Sequence, residues 1–201
     1  TNRTNWLVTN TPGNWYGVTV QSGHVVTVDL YSNQLTGSIP PALGNLVNLT
    51  ELSLGSNQLT GSIPPALGNL VNLTLLSLHS NQLTDSIPPE LGDLANLIVL
   101  LLDFNQLTGS IPPQLGNLTN LTRLVLSGNQ LTGSIPLSFT SLVNLVTFDF
   151  QDTYLCEPTT PEFQAWKTTV EEWQGTGLLC EERLETNGGG KSAAKMRRRS
   201  R

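Results

Sequence analysis

A single repeat runs through most of this chain and restricts what it can fold into. Five Asn-Gln-Leu-Thr tetrads begin at Asn33, Asn57, Asn81, Asn105 and Asn129, each twenty-four positions after the one before. Around each tetrad stands nearly the same frame, Leu-x-x-Leu-x-Leu-x-x-Asn-x-Leu-Thr-Gly-Ser-Ile-Pro, which begins at Leu49 in one copy. A unit of this kind cannot bury its leucines alone, so the repeats are expected to stack into a solenoid with a shared core.

Each position of the repeat has a predicted structural role. Leu52 and Leu54 alternate along a short strand and face inward, so their neighbours face outward. We expect one strand per repeat and six in all, near residues 27–30, 51–54, 75–78, 99–102, 123–126 and 147–150, in a parallel sheet. The asparagine column is predicted to bond backbone groups at the bend after each strand, as a buried hydrogen-bonded ladder. The segment from Leu67 to Leu70 is predicted to be a 3₁₀ or helical turn on the convex side.

The two ends of the solenoid require caps, and the sequence indicates both. Residues 1–24 form the predicted N-terminal cap, in which Trp6, Leu7, Trp15, Tyr16, Val18 and Val20 cover the first repeat. The solenoid occupies residues 25–153, and residues 154–183 form a helical C-terminal cap. Phe163, Trp166, Val170 and Trp173 fall at the spacing of one helical face. The last segment, residues 184–201, is predicted to be a disordered basic tail.

Two cysteines lie in the predicted C-terminal cap. We expect Cys156 and Cys180 to form a disulfide, although two free thiols are the alternative. A structural disulfide is typical of oxidising compartments, so it favours secretion or the cell surface. Asn-x-Ser/Thr glycosylation triplets fit that location and begin at Asn2, Asn48, Asn72, Asn117 and Asn120.

The run Leu-Thr-Gly-Ser-Ile-Pro followed by Leu-Gly-Asn-Leu resembles the plant-type leucine-rich repeat of receptor-kinase ectodomains and polygalacturonase-inhibiting proteins. The resemblance covers roughly residues 14–156. Trp15 to Thr19 resembles the family's N-terminal cap, but Val20 stands where the family usually has a cysteine; similar caps without this cysteine occur in bacterial and algal repeat proteins. The resemblance implies a right-handed leucine-rich-repeat solenoid of α/β repeat class, and a non-enzymatic scaffold that recognises proteins, peptides or glycans.

The outward positions of the strands carry the predicted binding site. Leu75, Val99, Leu101 and Val125 form an apolar patch there, with Phe104 at its edge. Charged or titratable residues surround this patch: Glu51, His79, Asp103 and Arg123. An apolar centre inside a charged rim is typical of protein-binding surfaces, which predicts a protein or peptide partner and leaves a glycan as a further option. The alternative is that the aliphatic residues only favour strand formation.

A rival function uses the other flank of the repeats. Hydroxyl side chains recur there as Thr36/Ser38, Thr60/Ser62, Thr84/Ser86, Thr108/Ser110 and Thr132/Ser134. If equivalent residues stack about 4.8 Å apart, they form two flat rows of the kind found in ice-binding solenoids. The same residues are also what the plant-type frame supplies in any case.

The charge distribution and the other side chains exclude several functions. Residues 1–186 hold four basic residues against all fifteen acidic ones, a net charge of −11, so nucleic acid is not expected to bind the folded body. No apolar run is long enough to cross a membrane. Neither a metal site nor a cofactor is predicted, because the two histidines have no ligand cluster around them. Ser77, His79 and Asp103 share the outward face, but a surface hydrogen bond is favoured there over catalysis.

Overall fold

The computed structural model describes residues 12–180 and 196–198, and a sheet of eight strands forms its main surface. In spatial order the strands are Val18–Gln21, His24–Asp29, Glu51–Ser53, Leu75–Ser77, Val99–Leu101, Arg123–Val125, Thr147–Asp149 and Glu172–Gln174. We call it the concave sheet. Its first two strands form an antiparallel hairpin, and every later neighbour is parallel. The six repeat strands occur where the sequence predicts them, and the two caps each add an edge strand.

The register of the concave sheet follows the repeat. Leu52 lies opposite Leu76, Leu76 opposite Leu100 and Leu100 opposite Leu124, so every pair is one full period apart. All four side chains are fully buried in one continuous apolar core. The residues between them in the strands therefore face outward in three aligned columns, because successive strand side chains alternate between the two faces.

Five short 3₁₀ helices stack on the convex side: Pro41–Asn45, Pro65–Asn69, Pro89–Asp93, Pro113–Asn117 and Leu137–Ser141. A further one, Pro12–Asn14, packs against the first strand of the N-terminal cap. An extended proline precedes each of the five stacked helices, which fixes where the turn begins. Glycine is required inside the turn, because a β-carbon on Gly68 would lie 2.4 Å from the carbonyl oxygen of Glu90 in the next coil.

The second extended segment of each repeat forms two smaller parallel sheets, which we call the flank sheets. One contains Thr36–Ser38, Gln58–Ser62 and Gln82–Thr84, and the other contains Thr108–Gly109, Gln130–Ser134 and Tyr154–Cys156. Here the offset between paired residues is two positions shorter than the period, so Thr60 lies opposite Ser38 and not opposite Thr36. The predicted stacking of equivalent hydroxyls at one strand spacing is therefore wrong, because this pairing shifts equivalent residues by two positions along the strand.

The asparagine column is buried between the two extended segments. Each of its five side chains is at most 9% exposed. The amide of Asn81 donates to the carbonyls of Leu54, Leu78 and His79, and its oxygen accepts from the backbone nitrogen of Leu59. Asn57 and Asn105 repeat this arrangement, so each asparagine bonds its own coil to the preceding one.

The C-terminal cap differs from the predicted long helix. Its α-helix spans only Pro161–Lys167, and Trp173 lies in the edge strand Glu172–Gln174. The helix ends early because Thr168 and Thr169 bond the carbonyls three residues back, while the open edge of the concave sheet pairs with the chain that follows. The ring of Trp173 still contacts Phe148 of the last repeat, with centroids 5.3 Å apart.

A disulfide joins Cys156 and Cys180 across this cap. Beside it, the buried carboxylate of Glu157 bonds Lys167 and accepts from the indole of Trp173. The strand Leu178–Cys180 pairs with Met196–Arg198, a segment of the predicted disordered tail. The rest of that tail, together with Trp6 and Leu7 of the N-terminal cap, lies outside the described residues.

Candidate functional site

Three apolar side chains of the predicted patch are neighbours on the concave sheet. Leu75 lies opposite Val99, and Leu101 follows on the same strand as Val99. All three are half-buried, so they form a contiguous apolar surface, which we call the concave patch. Val125 does not belong to the exposed surface, because it is only 7% exposed between its neighbours. Its side chain is covered by neighbouring residues of the sheet, beside the concave patch.

Two opposite charges border the concave patch in the first outward column. Glu51 lies opposite Leu75, and Arg123 lies opposite Val99, so the charges stand at the two ends of the apolar row. Both side chains are exposed. Arg123 makes no salt bridge within residues 12–180, which leaves its guanidinium accessible on this face.

Phe104 is the most exposed apolar residue at the edge of this surface, at 60% exposure. Its backbone adopts the left-handed region, with φ of 51°. Its ring lies against Gly128 of the next coil, where an added β-carbon would lie 2.8 Å from Cδ1 of the ring. A large exposed aromatic side chain held by a glycine beneath it supplies contact area for a partner.

His79 lies on the side of the concave patch nearer the N-terminus, above a glycine. A β-carbon at Gly55 would lie 2.6 Å from Nε2 of His79, so only glycine leaves room for this ring. The ring faces that of Tyr31, with centroids 5.8 Å apart, and Tyr31 is half exposed. Sequence reasoning did not select Tyr31, although it occupies the same outward column as His79, two repeats earlier.

Asp103 is half-buried and carries no ion pair among the described residues. Burial raises the pKa of its carboxyl above the ordinary value of 3.8, and the nearby Asp149 carboxylate adds to the rise. A backbone hydrogen bond, His79 and Arg123 act in the opposite direction on this pKa without cancelling it. A cation that binds beside such a carboxylate stabilises its charged form, because water solvates that charge only in part.

Asp149 is a second carboxylate that sequence reasoning did not select. It accepts a hydrogen bond from the Ser127 hydroxyl at 3.0 Å and one from the backbone nitrogen of Gln151 at 3.1 Å. The repeat period places it in the outward column of Leu101 and Val125, and it lies opposite Val125 in the sheet.

The geometry does not assemble a catalytic set. Nδ1 of His79 lies 3.2 Å from the hydroxyl of Ser80, and over the described ranges no hydrogen bond joins His79 to Ser77 or to Asp103. In the same ranges no three histidine, cysteine or carboxylate side chains gather as a set of metal ligands. None of the helices in this part of the chain has both the length and the apolar character for a membrane span.

Family models match much of the chain. The model for leucine-rich repeats in two copies matches residues 47–91 and 95–138, and a single leucine-rich-repeat model matches residues 24–46. The comparison with curated proteins gave no match.

Solved plant ectodomains share the fold. The ectodomain of the Arabidopsis thaliana receptor kinase GASSHO1/SCHENGEN3, solved with CASPARIAN STRIP INTEGRITY FACTOR 2, superposes with a TM-score of 0.77 at 40% identity over 83% of this chain. The BIR2 ectodomain from the same plant gives 0.67 at 32% identity over 79%. The Arabidopsis receptor kinase HAESA, solved with the peptide hormone IDA and the co-receptor SERK1, gives 0.64 at 29% identity over 82%. The matched region spans 88% of the BIR2 chain but only 20% of GASSHO1 and 37% of HAESA.

Proposed function

This chain belongs to the leucine-rich-repeat family, with repeats of the plant receptor-ectodomain type, and we propose that it is a non-enzymatic recognition scaffold. In this proposal residues 25–153 bind a protein or peptide partner through the concave sheet, and residues 1–24 and 154–183 act as caps. The proposed location is extracellular or at the cell surface. The disulfide supports it, because such bonds persist in oxidising compartments.

The observation that carries the proposal is the concave patch, Leu75, Val99 and Leu101, together with exposed Phe104. The leucines and isoleucines of the repeat frame are buried in the core, where they stabilise the fold. The outward residues contribute less to the core, yet they place aliphatic side chains side by side on an open surface. Half-buried apolar groups in contact with water release free energy when a partner covers them.

The relatives support the class of partner. Two of the three plant ectodomains compared above were solved as complexes, GASSHO1/SCHENGEN3 with CASPARIAN STRIP INTEGRITY FACTOR 2 and HAESA with the peptide hormone IDA and the co-receptor SERK1. A parallel sheet with outward columns offers an extended peptide a row of side chains at a regular spacing of about 4.8 Å.

A displayed library of random extended peptides tests the proposal. We expect the immobilised wild-type protein to enrich a set of peptides, and Leu101→Asp to lose that enrichment because it places a charge at the centre of the apolar contact. The expected loss in affinity is about thirtyfold or more, which corresponds to the ~2 kcal/mol of a central contact residue.

Thr60→Tyr is the matched control, because Thr60 is exposed on the flank sheet away from the concave sheet. It should enrich the same peptides as the wild type. Circular dichroism melting verifies that both variants are folded. Equal enrichment by folded Leu101→Asp and by the wild type would show that the concave patch does not bind.

A further inference from the structure

The concave sheet carries an excess of negative charge. Its outward positions hold one guanidinium, Arg123, and five carboxylates: Asp29, Glu51, Asp103, Asp149 and Glu172. Within residues 12–180 none of them forms a salt bridge. A partner that covers this face must therefore bring positive charge or leave carboxylates desolvated and unpaired, which costs free energy.

Asp103 and Asp149 are the two carboxylates on the C-terminal side of the concave patch whose charges act on each other. They belong to coils that are two apart in the stack, because the strand Arg123–Val125 pairs with Val99–Leu101 on one side and Thr147–Asp149 on the other. Each coil advances the stack by one strand spacing, about 4.8 Å. Ser127 lies in the coil between them, and its hydroxyl bonds Asp149. The two carboxylates are close enough for the charge of Asp149 to raise the pKa of the Asp103 carboxyl, so a cationic group brought to this surface is attracted by both.

These two carboxylates differ from mobile carboxylates in open water. Asp149 is held by the hydroxyl of Ser127 and by the backbone of Gln151, and Asp103 is half-buried with the pKa of its carboxyl raised by burial. Asp149 is therefore already oriented when a cation arrives, and Asp103 is already partly desolvated. A charge-assisted hydrogen bond to a fixed, partly desolvated carboxylate is stronger than one to a mobile carboxylate in water.

We propose that the ligand of the concave sheet is an extended peptide segment in which a lysine or arginine stands next to an apolar residue. The cationic group lies between Asp103 and Asp149, and the apolar side chain lies on the concave patch. This inference rests on the proposed function, since it specifies the ligand of the same surface.

The same displayed peptide library tests it through the sequences that are enriched. We expect peptides selected by the wild type to be rich in lysine or arginine beside an apolar residue. The double variant Asp103→Asn, Asp149→Asn should lose the basic preference and keep the apolar one, because only the carboxylates are neutralised. A selected peptide, synthesised with citrulline in place of arginine, should bind the wild type about tenfold more weakly or worse.

The control variant Asp85→Asn, Asp93→Asn removes the same two negative charges away from the concave sheet. Both residues are exposed, and asparagine already occupies the position of Asp93 in the preceding and following repeats. It should select the same basic peptides as the wild type. An equal loss of basic preference in this control would mean that net charge, and not the carboxylate pair, attracts the ligand.

The outcomes separate the two proposals. Enriched peptides without a basic preference, or a basic preference unchanged in the Asp103→Asn, Asp149→Asn variant, would overturn this inference while the scaffold function stands. A library that gives no enrichment, or the same enrichment on folded Leu101→Asp, would overturn the function itself and this inference with it.

Discussion

Single asparagines connect each coil of the solenoid to the coil before it. Asn81 satisfies three backbone carbonyls and one backbone nitrogen, and two of these partners, Leu54 and Leu59, belong to the preceding coil. A second row of asparagines lies on the surface, where Asn72 donates one bond to the carbonyl of Val47. The first row is buried and the second is exposed, so the hydrogen bonds of the two rows contribute differently to the free energy of unfolding.

Asn81→Leu should lower the free energy of unfolding by about 3 kcal/mol, because the nitrogen of Leu59 and several carbonyls lose their partner in a buried site. Urea unfolding followed by circular dichroism measures the change. Asn72→Leu is the matched control and should cost less than about 1 kcal/mol, since its amide is exposed. Equal losses in the two variants would contradict the special role of the buried column.

The elements at the ends of the solenoid cover a sheet edge and a core surface that, within the array, the next repeat would cover. The strand Thr147–Asp149 would leave an open sheet edge, and the cap strand Glu172–Gln174 covers it. Trp173 of that strand and Trp166 of the cap helix cover the end of the apolar core. The disulfide then closes a loop that contains both tryptophans, with a separation of 24 residues between its cysteines.

The double variant Cys156→Ser, Cys180→Ser should destabilise the C-terminal cap by about 3 kcal/mol, because the unfolded cap regains the entropy of an open loop. Near-ultraviolet circular dichroism reports the packing of the tryptophans and should melt at a lower temperature than in the wild type. A reducing agent should produce the same shift in the wild type and none in the double variant. An unchanged melting curve in the variant would mean that the aromatic packing holds the cap without the bond.

The whole molecule is close to one-dimensional, since each coil contacts its neighbours and little else. The 3₁₀ helices of the repeats, from Pro41–Asn45 to Leu137–Ser141, contact in sequence order, and each concave strand pairs with the strand of the next repeat. Stability in such an array is approximately a sum over repeats and the interfaces between them. The number of repeats is therefore not critical to the fold.

Removal of residues 73–96 deletes one complete period and joins Asn72 to Leu97, as the frame requires. The shortened protein should fold, and its urea m-value should fall by about a tenth, because less surface is exposed on unfolding. Removal of residues 73–90 is the control and should prevent cooperative unfolding, since it brings residues of different roles into the same position of the frame. A cooperative transition in the control, or none in the in-frame deletion, would contradict the modular description.

The repeating part of this protein follows from its amino-acid pattern alone. Because every period places the same residue in the same environment, the spacing of Leu52 and Asn57 is enough to predict the strand, the inward face and the buried ladder. The outward columns follow from the same alternation, which is why Leu75, Val99 and Leu101 could be placed together before their contacts were known.

Features that depend on how the coils are offset, or on segments outside the repeat, follow from tertiary packing. The burial of Val125 and the shortened register of the flank sheets arise from packing between coils, which no single period encodes. The strand that contains Trp173 forms because a sheet edge is open beside it, against the helical spacing of its apolar residues. The approach of Asp149 to Asp103 likewise requires the stacking of three coils, since the two residues are far apart in sequence.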